Sequence, residues 1–340
     1  MKRYVIAEAG GNDKFQEEEV EVPTPNDGEV VVKNYVSATN PVDSMMRSSK
    51  GSAMGVSADK IVIGYDASGV VEKVGSGVKS LKVGDEVYYS GDVTKNGTYS
   101  QYTAVDAKIV GKKPKKLSWQ EAAAMPLVTL TAMEALYECL SITEDKNANK
   151  DHSILIINGA GGVGSIAIQI AKQLLGLTVI ATASREETIQ FCKDNGADHV
   201  IDHKKDLKEQ VDKLSLKNKT VEYIFSCHDP TEYFDKFPDL LSPLGKIALI
   251  LPPSKPVNIG GFMAKRLSIH YELMFTRPMF NHQQEKQSEI LDKTSELFDS
   301  GVLKSTMQKE FTFNLQGLKD AMDLQDSRKG IGKTVITWPK

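Results

Sequence analysis

At 340 residues the chain is long enough for about two domains with sizeable cores. Its 40% hydrophobic and 26% charged content is that of an ordinary globular protein, and its net charge of −3 gives no sign of a nucleic-acid or membrane-surface partner. No stretch resembles a signal peptide or an apolar span of about 18 residues, which points to the cytoplasm.

In chain order, residues 1–125 carry short strand-like runs at 20–22, 29–33, 69–73 and 85–89. Gly28, Gly75, Gly77, Gly84, Gly91 and Gly97 punctuate them. This spacing predicts a mostly antiparallel, barrel-like β domain. Lys108, Lys112, Lys113, Lys115 and Lys116 form the basic cluster, read as a solvated loop around Gly111 and Pro114. Ser118 and Glu121 form a capping box that opens a short helix, Pro126 restarts the chain, and 128–140 reads as a helix.

The next stretch organises the chain. Ile154 to Ile157 reads as a strand buried on both faces. Gly159, Gly161 and Gly164 then give G-x-G-x-x-G, with Gly162 and Val163 between them, and an amphipathic helix follows. Strand, glycine turn and helix in this order predict a dinucleotide site with the pyrophosphate at the helix N-terminus. An NAD site places an acid about 20 residues on, at the end of the second strand. Here 178–182 runs into Ala183, Ser184 and Arg185, which can meet a 2′-phosphate and favour NADPH. Ser184 also reads as an N-cap with Glu187 closing a capping box; both roles fit one turn.

Further strands are expected near 199–201, 222–226, 246–250 and 267–273, with helices over 186–194 and 204–216. Such alternation implies a parallel sheet with right-handed crossovers. From 275, a helix at 284–299, a strand at 309–313, a helix at 315–324 and a strand at 333–337 are too few for a third domain. They are expected to rejoin the first. The domains are then 1–125 with 275–340, around 126–274. Three cysteines, with no C-x-x-C spacing, make a four-thiolate zinc site impossible on count, and the six histidines read as surface or cofactor-rim residues.

Taken together, Asn40-Pro41-Val42-Asp43, Gly64-Tyr65-Asp66, Val83-Gly84-Asp85, the fingerprint, Gly196-Ala197-Asp198 and Gly332-Lys333 resemble the medium-chain dehydrogenase/reductase superfamily, quinone oxidoreductase branch. The run from Glu272 to Pro278 is similar to a subgroup labelled zinc-type alcohol dehydrogenase-like. The resemblance implies an α/β protein: a GroES-like β-barrel-type substrate domain plus a Rossmann doubly wound parallel-sheet domain. It also implies a homodimer paired through the sixth Rossmann strand. Zinc members place ligands where this chain has Asn40, Tyr65-Asp66 and 127–129. Of these only Asp66 could bind, so no zinc is expected.

Without a metal, hydride addition to a conjugated acceptor is favoured, because hydrogen bonds can stabilise a delocalised charge. The expected activity is NADPH-dependent reduction of small quinones or α,β-unsaturated carbonyls. Residual alcohol dehydrogenase activity and a non-catalytic NADPH sensor are the alternatives. By resemblance, Asn40 and Tyr65 donate to the substrate oxygen, Tyr65 can pass a proton, and Asp43 orients Asn40. Asn40 also reads as a turn residue, Asp43 as a helix cap and Tyr65 as a packed aromatic. Thr131, Ser226, Cys227, Leu251, Phe275 and Arg277 are expected along the cofactor, Lys333 on a phosphate, and His203 beside the 2′-phosphate.

Overall fold

A computed structural model describes residues 1–216 and 219–339; Lys340 and the pair 217–218, inside the two expected domains, lie outside the described residues. The chain forms two compact units, Met1–Leu130 with Phe275–Lys340, and Thr131–Met274.

The first segment of unit 1 opens with an antiparallel pair, β1 (Lys2–Ile6) and β2 (Phe15–Glu19). The run at 20–22 lies just past β2 and is not a strand; Pro23 removes a donor there. β3 (Glu29–Ala38) is the spine of the unit, paired with β4 (Ala67–Val74) and later with β6 (Tyr102–Asp106), both antiparallel. Its Val30, Val31 and Val32 are fully buried, as β-branched residues in a two-sided sheet should be. Between β3 and β4 lies α1 (Pro41–Ser49), with proline in its first turn, where no backbone donor is needed. β5 (Glu86–Tyr89) and β7 (Val110–Lys112) extend the sheet.

α2 (Trp119–Ala123) starts at the expected capping box, with the Glu121 N–H 3.2 Å from the Ser118 hydroxyl. α3 (Pro126–Met133) follows, and the division between the units falls within it. The helix read over 128–140 is α-helical only to Met133; Glu134–Cys139 is wound as a π-helix.

Unit 2 is a six-stranded parallel sheet: β8 (Ser153–Ile157), β9 (Thr178–Thr182), β10 (His199–Ile201), β11 (Val221–Ser226), β12 (Leu241–Leu249) and β13 (Ser268–Tyr271). Their order is β10-β9-β8-β11-β12-β13. The order reverses between β8 and β11, the switch point where dinucleotides bind in doubly wound sheets. α4 (Lys146–Asn149), α5 (Gly162–Gln173), α6 (Glu186–Asp194), α7 (Leu207–Val211) and α8 (Phe237–Leu240) complete the unit. α7 is shorter than the helix read over 204–216: it starts later because Asp206 caps it by accepting from the Glu209 N–H at 2.9 Å, and it ends at Val211. Leu155, Ile180, Ile224, Phe237 and Ile247 pack its core.

The chain returns to unit 1 through α9 (Thr276–Met279), α10 (Glu285–Asp299), β14 (Met307–Thr312), α11 (Leu315–Asp326) and β15 (Lys333–Thr337). β15 lies between β14 and β3, parallel to the first and antiparallel to the second. The fold is the expected pairing of a GroES-like domain with a Rossmann domain. Among the described residues no helix is long and apolar enough to cross a membrane.

Candidate functional site

The nucleotide edge is built first by glycines. A Cβ on Gly159 would lie 2.7 Å from the Ala181 Cβ of the neighbouring strand, and one on Gly164 would lie 2.3 Å from the Asn158 carbonyl oxygen. These contacts bring α5 hard against β8 and expose backbone N–H groups at its start. No side chain caps α5, whose N-cap is Gly161. The turn is fixed by Asn158, at φ 63°, whose N–H donates to the Thr182 hydroxyl at 2.9 Å. An uncapped twelve-residue helix therefore offers N–H groups and the positive end of its dipole to an anion.

The parallel register carries the ends of β8, β9, β10, β11 and β12 to one edge. Gly161, Gly162, Val163, Ser184, Arg185, His203, Cys227 and Leu251 follow those ends, and Ser226 is the last residue of β11. The cap of α6 is one residue later than read: Arg185, not Ser184, is the N-cap, and its N–H donates to the Thr188 hydroxyl at 3.1 Å rather than pairing Ser184 with Glu187. Ser184 is left half-buried beside the strand end. The Arg185 guanidinium lies 3.2 Å from Glu187, a solvated pair that a phosphate can displace. His203 is half-buried, and burial lowers its pKa. The Ser226 hydroxyl donates to the His228 carbonyl at 2.9 Å, and burial raises the Cys227 thiol well above its usual range. Leu251 is exposed, while Thr131, in α3, is buried. These residues fit a dinucleotide whose pyrophosphate rests on α5.

Phe275, Arg277 and Lys333 belong to unit 1. Phe275 is buried edge-on against the Tyr65 ring at 5.4 Å. The buried Arg277 donates to Gln283 at 3.2 Å. Lys333 is 3% exposed, and its ammonium donates to Asp66 at 2.9 Å, to the Thr39 carbonyl at 2.8 Å and to the Asn40 side-chain oxygen.

That ammonium is the centre of a buried polar cluster. Asn40 caps α1, and Asp43 closes the capping box by accepting from the Asn40 N–H at 2.7 Å. The Asn40 amide donates to Asp66 at 2.9 Å, so its donor is turned inward. Asp66 also accepts from the Leu127 N–H at 2.7 Å. Asp43 accepts in addition from the Tyr99 hydroxyl at 2.8 Å, while its other, buried oxygen has no partner among the described residues. Burial pushes the Asp43 carboxyl up to about 7, against the pull of Asn40 and Tyr99. Burial also raises Asp66, opposed first by the Lys333 charge. Tyr99, Leu127 and the inward role of Lys333 were missed from sequence; the Asn40–Asp43 capping-box spacing was the one signal present.

Tyr65 is 1% exposed, yet among the described residues its hydroxyl has no hydrogen-bond partner. It lines a pocket of about 230 Å³ within unit 1, floored by Met46, Val62 and Val93. Burial, then the charges of Asp43 and Asp92, holds its phenol well above the usual range, so the hydroxyl stays a donor.

The matched positions do not fit a catalytic zinc. Tyr65 offers no zinc-binding nitrogen or thiolate, and the two Asp66 oxygens already accept from Leu127, Asn40 and Lys333. A tethered ammonium takes the place beside the one carboxylate, where a divalent cation would be repelled.

Comparisons with known proteins agree on the family. Residues 162–292 match the zinc-binding dehydrogenase family and residues 26–115 the alcohol dehydrogenase GroES-like domain. The chain is 37% identical, over 95% of itself and 94% of the other, to a zinc-type alcohol dehydrogenase-like protein of Staphylococcus epidermidis. It is 31% identical, over 99% of itself and 79% of the other, to the NADPH-dependent alkenal/one oxidoreductase, chloroplastic, of Arabidopsis thaliana. Among solved structures, a protein of Rhizobium etli described as a zinc-dependent alcohol dehydrogenase superposes with TM-score 0.92 at 40% identity, covering 99% of this chain and 98% of that one. Escherichia coli quinone oxidoreductase complexed with NADPH superposes with TM-score 0.83 at 25% identity, covering 99% and 100%.

Proposed function

The chain belongs to the medium-chain dehydrogenase/reductase superfamily of oxidoreductases, and from that premise we propose that it is an NADPH-dependent, zinc-independent reductase of quinones or α,β-unsaturated carbonyls. The arrangement at Asp66 carries this reading: with Lys333 as its counter-ion, the polar cluster has no opening for a Lewis acid. An acceptor that disperses its own developing charge is then the chemically suited one. The names of the Arabidopsis and Escherichia coli relatives support both the acceptor class and NADPH.

NADPH, when bound, supplies the hydride. The uncapped start of α5 holds its pyrophosphate, and Ser184 and Arg185 receive the 2′-phosphate. The Tyr65 hydroxyl, unpartnered and protonated, donates to the carbonyl oxygen of the acceptor as negative charge develops there. Asp43, Tyr99, Asn40, Asp66 and Lys333 hold α1 and the strand entering β4 in place. Asn40 thus acts as a positioning residue, since its amide is committed to Asp66. Edge strand β13, with Tyr271 exposed, is the expected pairing edge of a homodimer.

A panel of quinones, enals, enones and simple alcohols, each with NADPH or NADH (NADP⁺ or NAD⁺ for the alcohols), tests the proposal. NADPH oxidation with enones or quinones is the expected result. Turnover of simple alcohols that depends on added Zn²⁺ would overturn it, and tight NADPH binding with no turnover would mark a sensor.

A further inference from the structure

The pocket beside Tyr65 has a polarity of its own. Its floor is apolar: Met46, Val62 and Val93 are each at most 3% exposed, and Tyr65 stands among them. Its rim is polar and open, formed by Lys60, Thr94, Lys95 and Asn96. The two rim lysines differ. Lys60 is tied to Glu18, which also binds Arg3 at 3.0 Å. Lys95 has no ion-pair partner among the described residues, although carboxylates stand nearby. Asp92 accepts from both the N–H and the hydroxyl of Thr94 at 2.8 Å. On the far side of Lys95 a second depression carries Asp27, Glu29 and Asp106. Each of these is engaged by its own neighbourhood: Asp27 by Ser76, Glu29 by Asn26, Asp106 by the Lys108 N–H. Of the two rim lysines, Lys95 is thus the one whose ammonium no side chain among the described residues answers.

Resting on the function proposed above, we propose that the acceptor taken by this pocket is a conjugated carbonyl compound bearing a carboxylate, with its apolar end on Met46, Val62 and Val93 and its anionic end on Lys95. An apolar floor with a few polar groups at one end is how small-molecule pockets fix orientation. It places the conjugated carbonyl toward the Tyr65 hydroxyl. The ammonium is solvated, so it sets a preference among acceptors rather than supplying most of the affinity.

Binding tests this independently of turnover. Calorimetric titration, without cofactor, with 3-benzoylpropionate and with its methyl ester compares an acid and a neutral ligand of one shape, neither of which has the conjugated C=C bond that the proposed reaction reduces. The acid should bind about fivefold more tightly at low salt, with the ratio falling toward one at about 1 M salt. Lys95→Met should collapse the acid-to-ester ratio, Lys95→Arg should retain it, and Lys95→Glu should invert it. Equal affinities for acid and ester, or a ratio untouched by Lys95→Met, would overturn the proposal. Turnover of the unsaturated pair, 3-benzoylacrylate and its methyl ester, is read separately. If the acid binds through Lys95 but neither is reduced, the reductase reading fails while the anion preference stands.

Discussion

Replacing Lys333 with Met leaves the Asp66 carboxylate, 0% exposed, without its counter-ion. Stripping one partner from a buried pair costs roughly 3–5 kcal/mol. Asp66 keeps donors from Leu127 at 2.7 Å and Asn40 at 2.9 Å, which argues for the low end. The Thr39 carbonyl and the Asn40 oxygen lose a donor as well, adding about 1 kcal/mol or more. A loss of about 4 kcal/mol at neutral pH follows. Without the ammonium, the folded-state pKa of Asp66 stands above its unfolded value of about 3.9. The penalty is therefore full at high pH and shrinks as pH falls toward 4. Urea unfolding followed by tryptophan fluorescence is the assay, since Trp119 and Trp338 both lie in unit 1. Adding Asp66→Asn, which keeps an acceptor for the Leu127 N–H, should recover about half the loss. A Lys333→Met protein within about 1 kcal/mol of wild type, or a loss identical at pH 5 and pH 7.5, would refute the reasoning.

Asp43 makes a second pH prediction. Its folded-state pKa of about 7 exceeds the unfolded value of about 3.9, so the native state holds the extra proton between them. Wild-type stability should fall by roughly 2–3 kcal/mol from pH 5 to pH 8, and Asp43→Asn should flatten that slope in urea titrations. Arg185→Ala should raise the KM for NADPH about tenfold to a hundredfold and leave that for NADH nearly unchanged; equal changes would remove the 2′-phosphate role. Tyr65→Phe should lower kcat on an enone by about a hundredfold with little change in KM, and unchanged turnover would return the ring to packing alone. Gly164→Ala drives a Cβ to 2.3 Å from the Asn158 oxygen, so NADPH binding read by fluorescence titration should fall steeply.

Where local chemistry decides, the sequence was informative. The β-branched run before the fingerprint became β8, and the last strand stands at Lys333–Thr337 as read. α6 likewise spans Glu186–Asp194 as read, though its cap does not. Side-chain preference ranks Ser184 above Arg185 as the cap, but the position is decided by how β9 delivers the chain. Asp206, followed three residues later by Glu209, is a readable cap signal that sets the start of α7. The polar cluster was legible only in part. The Asn40–Asp43 spacing names a capping box, but no local pattern joins Lys333 to Asp66 across 267 positions. That contact is dictated by β15 pairing with β3, where Val335 stands opposite Ala38. Orientation was also hidden: donors read as facing a substrate, as at Asn40, are spent inside the fold.

The place of β15 has a consequence for synthesis. The strand that brings the ammonium is translated after the whole of unit 2, so Asp66 emerges from the ribosome long before its counter-ion exists. Until then β3 has an open edge and a charge that resists being buried. Nascent chains should accordingly complete the nucleotide fold while unit 1 still lacks β15. Chains stopped upstream of Lys333 should leave Asp66 without its counter-ion and β3 with that edge open.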